Sequence, residues 1–425
     1  MLSASNAFID ALRFGSYLVL AQLTLYYKGS PTSVILPCST ADFTFDRNSE
    51  QRRSGQITVE ILPTIPPQTV SLDGITQILL LPIAPQSALA PFAQQIGVAL
   101  QVLGPGGTIN PSDWIPMGLY AIAESTIDDT TNDMIVTLKL FDRSWVLSNW
   151  KLVSSYTVPA STGVLQDEIT ALINHVWSTQ GPITPPTPPW SYSIVPSTYS
   201  VPAGTYNQGQ DPWQACLDMA ASAGYELYFD VNGNVVGAPA PGSPASSSYP
   251  TLNSIPISWG FDQNTITAQG TSEHPPGGTP FTTPIAMTMQ ILRDGIFNDY
   301  WVSAVGSNNY TALIQARAAD TNNQSPTWYQ GVMGDNPNFI YDPLITTLAQ
   351  AQAEANYDLA VALSKVWQIS VDSALNPLFD IDDVFTVTNP RLGLNVQKVI
   401  IDTIHTSVRY DALTTLTGRV IVPGA

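Results

Sequence analysis

The stretch NPLFDIDDVFTVTN, residues 376–389, places three carboxylates within four positions: Asp380, Asp382 and Asp383. Acids this close could ligate a hard cation, act as a general acid and base, or shape the corner between two strands. A second adjacent pair is Asp128-Asp129. A glycosidase needs two carboxyls about 5 to 10 Å apart across one cleft. Consecutive side chains on a strand point to opposite faces, and acids at a turn serve the backbone, so neither pair suits a shared cleft. Asn376-Pro377 before the acids and Val384, Phe385, Thr386 and Val387 after them favour the corner, because the first dipeptide turns the chain and the other four prefer strand.

Other candidate chemistry is sparse. His175, His274 and His405 are far apart and show no metal-ligand spacing such as HxxxH or HExxH. No GxSxG, GxxxxGK[ST] or GxGxxG is present; LGPGGT (103–108) reads as a loop that neither follows a strand nor opens a helix. Asp230, Asn232 and Asn234 could begin a calcium loop, but the glycine is misplaced and no acid stands where a twelfth ligand would. Asn232-Gly233 signals a hairpin instead, with positive φ expected at both residues of a type I′ turn. Cys38 and Cys216 are expected as free thiols, Cys216 within a helix. No catalytic, cofactor-binding or metal residue is expected, and no enzyme activity. Ten tryptophans and seventeen tyrosines serve cores and contacts in the main. The rival binding reading uses Trp190, Trp301 or Trp328 as exposed platforms for cell-wall glycans.

The elements that position these residues follow from composition and period. The 425 residues are 44% hydrophobic and 11% charged, with 35 prolines and 28 glycines, which suits many short strands joined by turns. Fifteen basic against thirty-three acidic residues leave a net charge of −18, which opposes a surface that grips phosphates. The N-terminal apolar run is interrupted by Gln22, Thr24 and Lys28, so neither a signal peptide nor a membrane anchor is expected; it reads as a helix from about Ser5 to Phe14 and a strand from Leu18 to Tyr27.

Strands are expected at Ser33–Leu36, Asp42–Phe45 and Gln56–Leu62, then a polar, proline-rich excursion through 63–95. MGLYAIAES (117–125), an acidic corner at 127–133 and MIVTLKLFD (134–142) form a strand pair with a period of two. Thr162 is expected to cap an amphipathic helix, and Asp211 with Pro212 to open another that stops at Gly224 before the YELYFDVNGNVVG hairpin. Residues 181–190 read as an extended connector, and 237–250 as a low-complexity joint. In the last region, strands are expected at Ile255–Gly260 and Asn264–Gln269. Asp342 and Pro343 are expected to start a long helix with Leu344, Leu348, Ala351, Ala355, Leu359 and Leu363 in one stripe, and three strand-like stretches follow it.

Taken in order, SASNAFIDALRFGS, ADFTFDRNSEQRRSGQITVEI with Arg52 and Arg53, MGLYAIAES with LKLFDRS, and DPWQACLDMAASAGYELYFDVNGNVV are similar to segments of one protein family. RDGIFNDYWVSAVG, SPTWYQGVMGDNPNFIYDPLITTLAQAQAEA and NPLFDIDDVFTV complete the match over most of the chain. The chain resembles the minor tail proteins of long-tailed phages of actinobacteria, which have a baseplate-hub-like fold. The resemblance implies a mainly β protein with an α+β insertion: a helix and first β-barrel hub domain over 1–150, a smaller α/β domain over 151–250, and a second barrel hub domain with the long helix over 251–425. It further implies a virion protein at the tail tip, assembled in the host cytoplasm. Three copies would form a ring that continues the tail tube and contacts tube, tape-measure and distal tip or fibre proteins, with DNA only in transit and no membrane insertion. Acidic walls would repel that DNA over roughly a Debye length, ~8 Å at physiological salt. The family pattern has glycine where this chain has Asp382, which puts the turn type at that corner in question.

Overall fold

The computed structural model describes residues 18–27, 30–61, 68–71, 77–92, 95–103, 109, 113–129, 134–158, 163–181, 188–239, 257–262, 281–282, 284–305, 313–408 and 413–421. The expected N-terminal helix, Thr162, the strand at Asn264–Gln269, His274 and most of the joint at 237–250 lie outside these residues.

The first region is β1 (Leu18–Tyr27), β2 (Ser30–Pro37), β3 (Thr40–Asp46), β4 (Arg53–Ile61), a short β5 (Thr69–Ser71) and β6 (Gln77–Leu79) hairpin, β7 (Gln95–Leu103), β8 (Ile115–Asp129) and β9 (Met134–Asp142). Its alternation is visible in β3, where Ala41, Phe43 and Phe45 are buried, and in β4, where Ile57, Val59 and Ile61 are. Phe43 stacks on Tyr120 of β8 with ring centroids 5.9 Å apart. Three expectations change here. Within 63–95 the described residues Leu80, Leu81, Ala88 and Leu89 are buried in the core, so that part is not a polar excursion. The glycine-rich stretch at 103–108 follows a strand after all: β7 buries Ile96, Val98 and Leu100, while Gly97 and Ala99 between them blur the two-residue period. Asp128 and Asp129 end β8 instead of lying in a loop.

The middle region holds α1 (Ser144–Asn149), β10 (Tyr156–Val158), α2 (Leu165–Gln180), β11 (Tyr192–Ile194), β12 (Gly204–Tyr206), α3 (Pro212–Ser222), β13 (Tyr225–Phe229) and β14 (Val235–Pro239). Asp211 caps α3 as expected, its carboxylate accepting from the Trp213 and Gln214 amides. Helix α2 begins after Val164 with no side-chain cap. The β13–β14 hairpin also forms, but with only Gly233 at positive φ, 73°. Asp230 pairs with Asn234 across the loop, and the Asp230 carboxylate accepts from the Asn232 and Asn234 amides. The turn is therefore a three-residue loop closed by a left-handed glycine, not type I′. Trp190, Trp213 and Phe229 fill the centre of this unit, Trp190 meeting Phe229 edge-on at 5.5 Å.

The last region comprises β15 (Ile257–Asp262), β16 (Phe281–Thr282), β17 (Ala286–Ile291), β18 (Asp299–Val305), β19 (Leu313–Ala319), β20 (Pro337–Tyr341), α4 (Leu348–Ser364), β21 (Trp367–Ala374), β22 (Val384–Asn389), β23 (Leu394–Val408) and β24 (Leu413–Val420). Helix α4 starts later than expected. Thr347 and Gln350 form a reciprocal capping box, whereas Asp342 and Pro343 belong to the preceding turn and Leu348 is 60% exposed.

The two ends of the chain share one sheet. β23 pairs with β3 from Thr403↔Asp46 to Val408↔Ala41. This joint makes a fourteen-stranded sheet ordered β16-β15-β22-β23-β3-β4-β9-β8-β7-β1-β2, with β24, β21 and β17 branching from β23. The expected closed barrels are not observed: among the described residues no sheet closes on itself. Strand β23 joins the two ends: its fifteen residues pass a bulge between Ile401 and Thr403 and pair with β22 at one end and β3 at the other. One hydrophobic core accordingly draws Phe43, Ile57 and Tyr120 together with Phe261, Phe385 and Ile404.

Candidate functional site

Asp382 has φ 68°, in the left-handed region. Aspartate tolerates this better than most residues, because its short side chain can bond locally, and glycine takes it at no steric cost. The corner thus adopts a backbone that glycine takes most readily while presenting a carboxylate. Backbone bonds hold it in place: the Asp382 amide donates to Ile401 O at 3.1 Å, and the Ile401 amide to Asp383 O at 2.9 Å. Asp383 accepts from the Asp380 amide at 2.9 Å. Of the three acids, Asp383 serves the turn itself, and Asp380 and Asp382 reach across to another strand pair.

What they meet are the arginines of the β3–β4 loop and of the start of β4. Arg53 Nη2 lies 2.5 Å from Asp380 Oδ1. Arg47 Nε and Arg52 Nη1 lie 3.2 and 3.3 Å from the two Asp382 oxygens. Glu226 of β13 supplies the third side, one oxygen accepting from Arg47 and the other from Arg52. Asp402 of β23 takes Arg419 of β24 at 2.9 Å and Arg47 at 3.5 Å. Arg419 also donates to Ser364 Oγ, at the end of α4, at 3.2 Å. The Arg52 guanidinium covers the Tyr228 ring at 4.1 Å and that of Arg53 covers Phe45 at 4.7 Å. Segments from the first, middle and last regions therefore converge on one ionic cluster beside a cleft of about 400 Å³ lined in part by Arg47, Arg52, Glu226, Tyr357 and Arg419.

The arginine side chains are deeply buried, 5 to 8% exposed for Arg47, Arg52 and Arg53. Burial opposes ionisation of Glu226, but the flanking Arg47 and Arg52 outweigh it and hold the carboxyl at about 2. Burial pushes Asp382 the other way, up to about 6; the Glu226 charge adds to that rise, and the same two arginines offset only part of it. Glu226 is thus the tightly held counter-ion and Asp382 the labile one. A buried charge cluster of this kind fixes how segments join more than it adds net stability, since desolvation cancels much of the Coulomb gain, while removal of one partner strands the others.

A second contact joins the middle and last regions. Residues 197–199 and 221–224 face α4 across a cavity of about 230 Å³ that Glu354 lines. Burial, with Asp342 and Asp358 adding to it, pushes Glu354 up to about 8. Its Oε2 is buried and has no hydrogen-bond partner among the described residues.

The remaining candidates are dispersed. His175 packs on Tyr156 at 5.3 Å, and His405 approaches Thr44 Oγ1 at 3.2 Å. Asp128-Asp129 pairs with the start of β9, in a ladder that does not include the 380–383 corner. Cys38 and Cys216 are free thiols. Trp190 is 8% exposed and offers no platform. Sequence reading singled out Arg52, Arg53 and the acids but gave no reason to bring them together; Arg47 lies in the same segment without being singled out, and Glu226, Asp402 and Arg419 each lie alone in their stretches. No helix among the described residues is long and apolar enough to cross a membrane.

The architecture defines a class of fold, that of tail proteins. The first structural relative is a tail protein from Neisseria meningitidis MC58, 12% identical, with TM-score 0.59 over 94% of this chain and 96% of that one. A 43 kDa tail protein of prophage MuSo2 from Shewanella oneidensis is 13% identical, with TM-score 0.53 over 95% and 98% of the two chains. No family model matches the chain, and no curated protein matches it in sequence.

Proposed function

We propose that this chain is a structural virion protein, a hub at the tail tip of a long-tailed phage of actinobacteria. In this reading three copies form a ring that continues the tail tube, contacts tape-measure and distal tip proteins, and lets DNA pass without catalysing a reaction. The division into hub domains over 1–150 and 251–425 with an insertion over 151–250 belongs to the same proposal. The observation that carries it is end-to-end agreement with tail proteins, 94% and 95% of this chain in the two comparisons, so that the likeness covers all three regions.

The ionic cluster supports the reading in two ways. It ties the three regions together at one point, as a load-transmitting ring requires. It also withdraws Arg47, Arg52, Arg53 and Arg419 from the surface, leaving the exterior of a chain of net charge −18 short of phosphate-binding groups. Antibody labelling of purified virions should mark the tail tip, and native mass measurement of the assembled tip should give three copies. Labelling along the shaft or on the head, or salt-sensitive tight binding of DNA to the isolated protein, would refute the proposal.

A further inference from the structure

The three-stranded sheet β19-β18-β20 has one covered face and one open face. Tyr300, Val302, Ala304, Ala316 and Ala318 turn inward onto Ala351 and Ala355 of α4. The alternate residues face out, and the register aligns them in rows: Arg317, Trp301 and Phe339 across the strands, then Gln315, Ser303 and Tyr341. In the first row the Arg317 guanidinium lies between the Tyr329 ring at 5.5 Å and the Trp301 ring at 4.9 Å. Trp301 continues to Phe339, 6.3 Å away and within 22° of parallel. Phe339 is the open end of this stack, 72% exposed, with Tyr341 59% exposed in the next row.

Buried Asp299 fixes the stack. It accepts from Arg317 through both oxygens, at 2.9 and 2.8 Å, and from Trp301 Nε1 at 2.9 Å. Two consequences follow. The rings are held before any ligand arrives, so little ordering entropy is lost on binding. The guanidinium charge is offset by Asp299 and by the nearby Asp335, so the face presents aromatic surface, an amide and a hydroxyl with no unpaired positive charge.

We propose that this face binds an uncharged β-linked polysaccharide, independently of any hub role. Three strands ~4.8 Å apart and five residues of ~3.3 Å rise give a patch of roughly 10 by 16 Å. That is far below the ~800 Å² per partner of a stable protein interface, but it suits a few sugar rings. The C–H face of a pyranose stacks on Phe339, the open end of the row, and its hydroxyls reach Gln315 and Tyr341. A β-(1→4)-linked chain is a straight ribbon that presents such faces in line, as the exposed Phe339 and Tyr341 do two residues apart along β20. Acidic polymers are repelled by the net charge of −18.

Calorimetric titration of the full chain with N-acetylchitohexaose and with cellohexaose tests this, with α-linked maltohexaose as control. At least one β-linked chain should bind, the control should not, and Phe339→Ala should weaken binding by roughly tenfold, the loss of one stacked ring. Phe339 is exposed, so the variant should melt with the parent; Gln315→Ala, on the neighbouring row, gives a second and smaller loss. Absence of binding to both β-linked chains, equal binding of the α-linked control, or an unchanged affinity in Phe339→Ala overturns the proposal. So does concentration-dependent self-association that Phe339→Ala abolishes, which would assign the face to a second copy of the chain.

Discussion

Substitution Glu226→Gln keeps the shape of the side chain and removes the charge that faces Arg47 and Arg52. Glu226 titrates at about 2 in the fold against 4.5 ordinarily. At ~1.4 kcal/mol per tenfold change in proton affinity, the ionised group contributes about 3 kcal/mol of stability at neutral pH. Part of this returns in the variant, because the Glu226 charge is one cause of the raised Asp382, which ionises more readily once that charge is gone. The expected net loss is therefore about 2 kcal/mol. Because the folded value lies below the unfolded one, the stabilisation is complete above pH 4.5 and is lost as the pH falls towards 2. Urea titration followed by tryptophan fluorescence measures it, since Trp190 and Trp213 lie in the core of the unit that carries Glu226. Parent and variant should differ by about 2 kcal/mol near neutral pH and converge in acid. A difference below about 0.5 kcal/mol at neutral pH, or one that persists unchanged in acid, would refute the cluster as the tie between regions.

Glu354→Gln should act in the opposite sense. The folded carboxyl sits at about 8, above its ordinary 4.5, so the fold is penalised progressively as the pH rises between those values. The variant should be more stable by about 1 to 3 kcal/mol in mild alkali and equal to the parent near pH 4, read from paired melting curves. At the corner, Asp382→Gly and Asp382→Ala lose the same charge, but alanine keeps the left-handed strain; it should be less stable than glycine by about 1 kcal/mol in denaturant titrations. Gly418→Ala would place a methyl 2.2 Å from Ile400 O, at the β23–β24 ladder, and should destabilise by about 1 to 3 kcal/mol with faster amide exchange in β24.

Much of the local structure is legible in the chain itself. Strand β1 spans Leu18–Tyr27 and β9 spans Met134–Asp142, the ranges their periods indicate, and Asp211 caps α3. These rest on interactions within a few residues, so neighbours in sequence suffice to specify them. Helix α4 shows where that reasoning fails: Asp342-Pro343 and Thr347 with Gln350 are both local start signals, and only the packing of Ala351 and Ala355 on β18 and β19 selects the second. The turn at 231–233 is a similar case, in which the Asp230 carboxylate holds Asn232 out of the left-handed region.

The cluster lies beyond local reading altogether. From the sequence alone come the mainly β composition, the acidic balance and the corner at 376–389 with its three carboxylates. The tertiary structure decides that Asp382 matters, because it meets Arg52 across 330 residues, as Glu226 meets Arg47 across 179. Pairing strength between charges depends on distance and burial, and both are properties of the folded chain: β23 must bend from β22 to β3 before the acids of one end can face the arginines of the other.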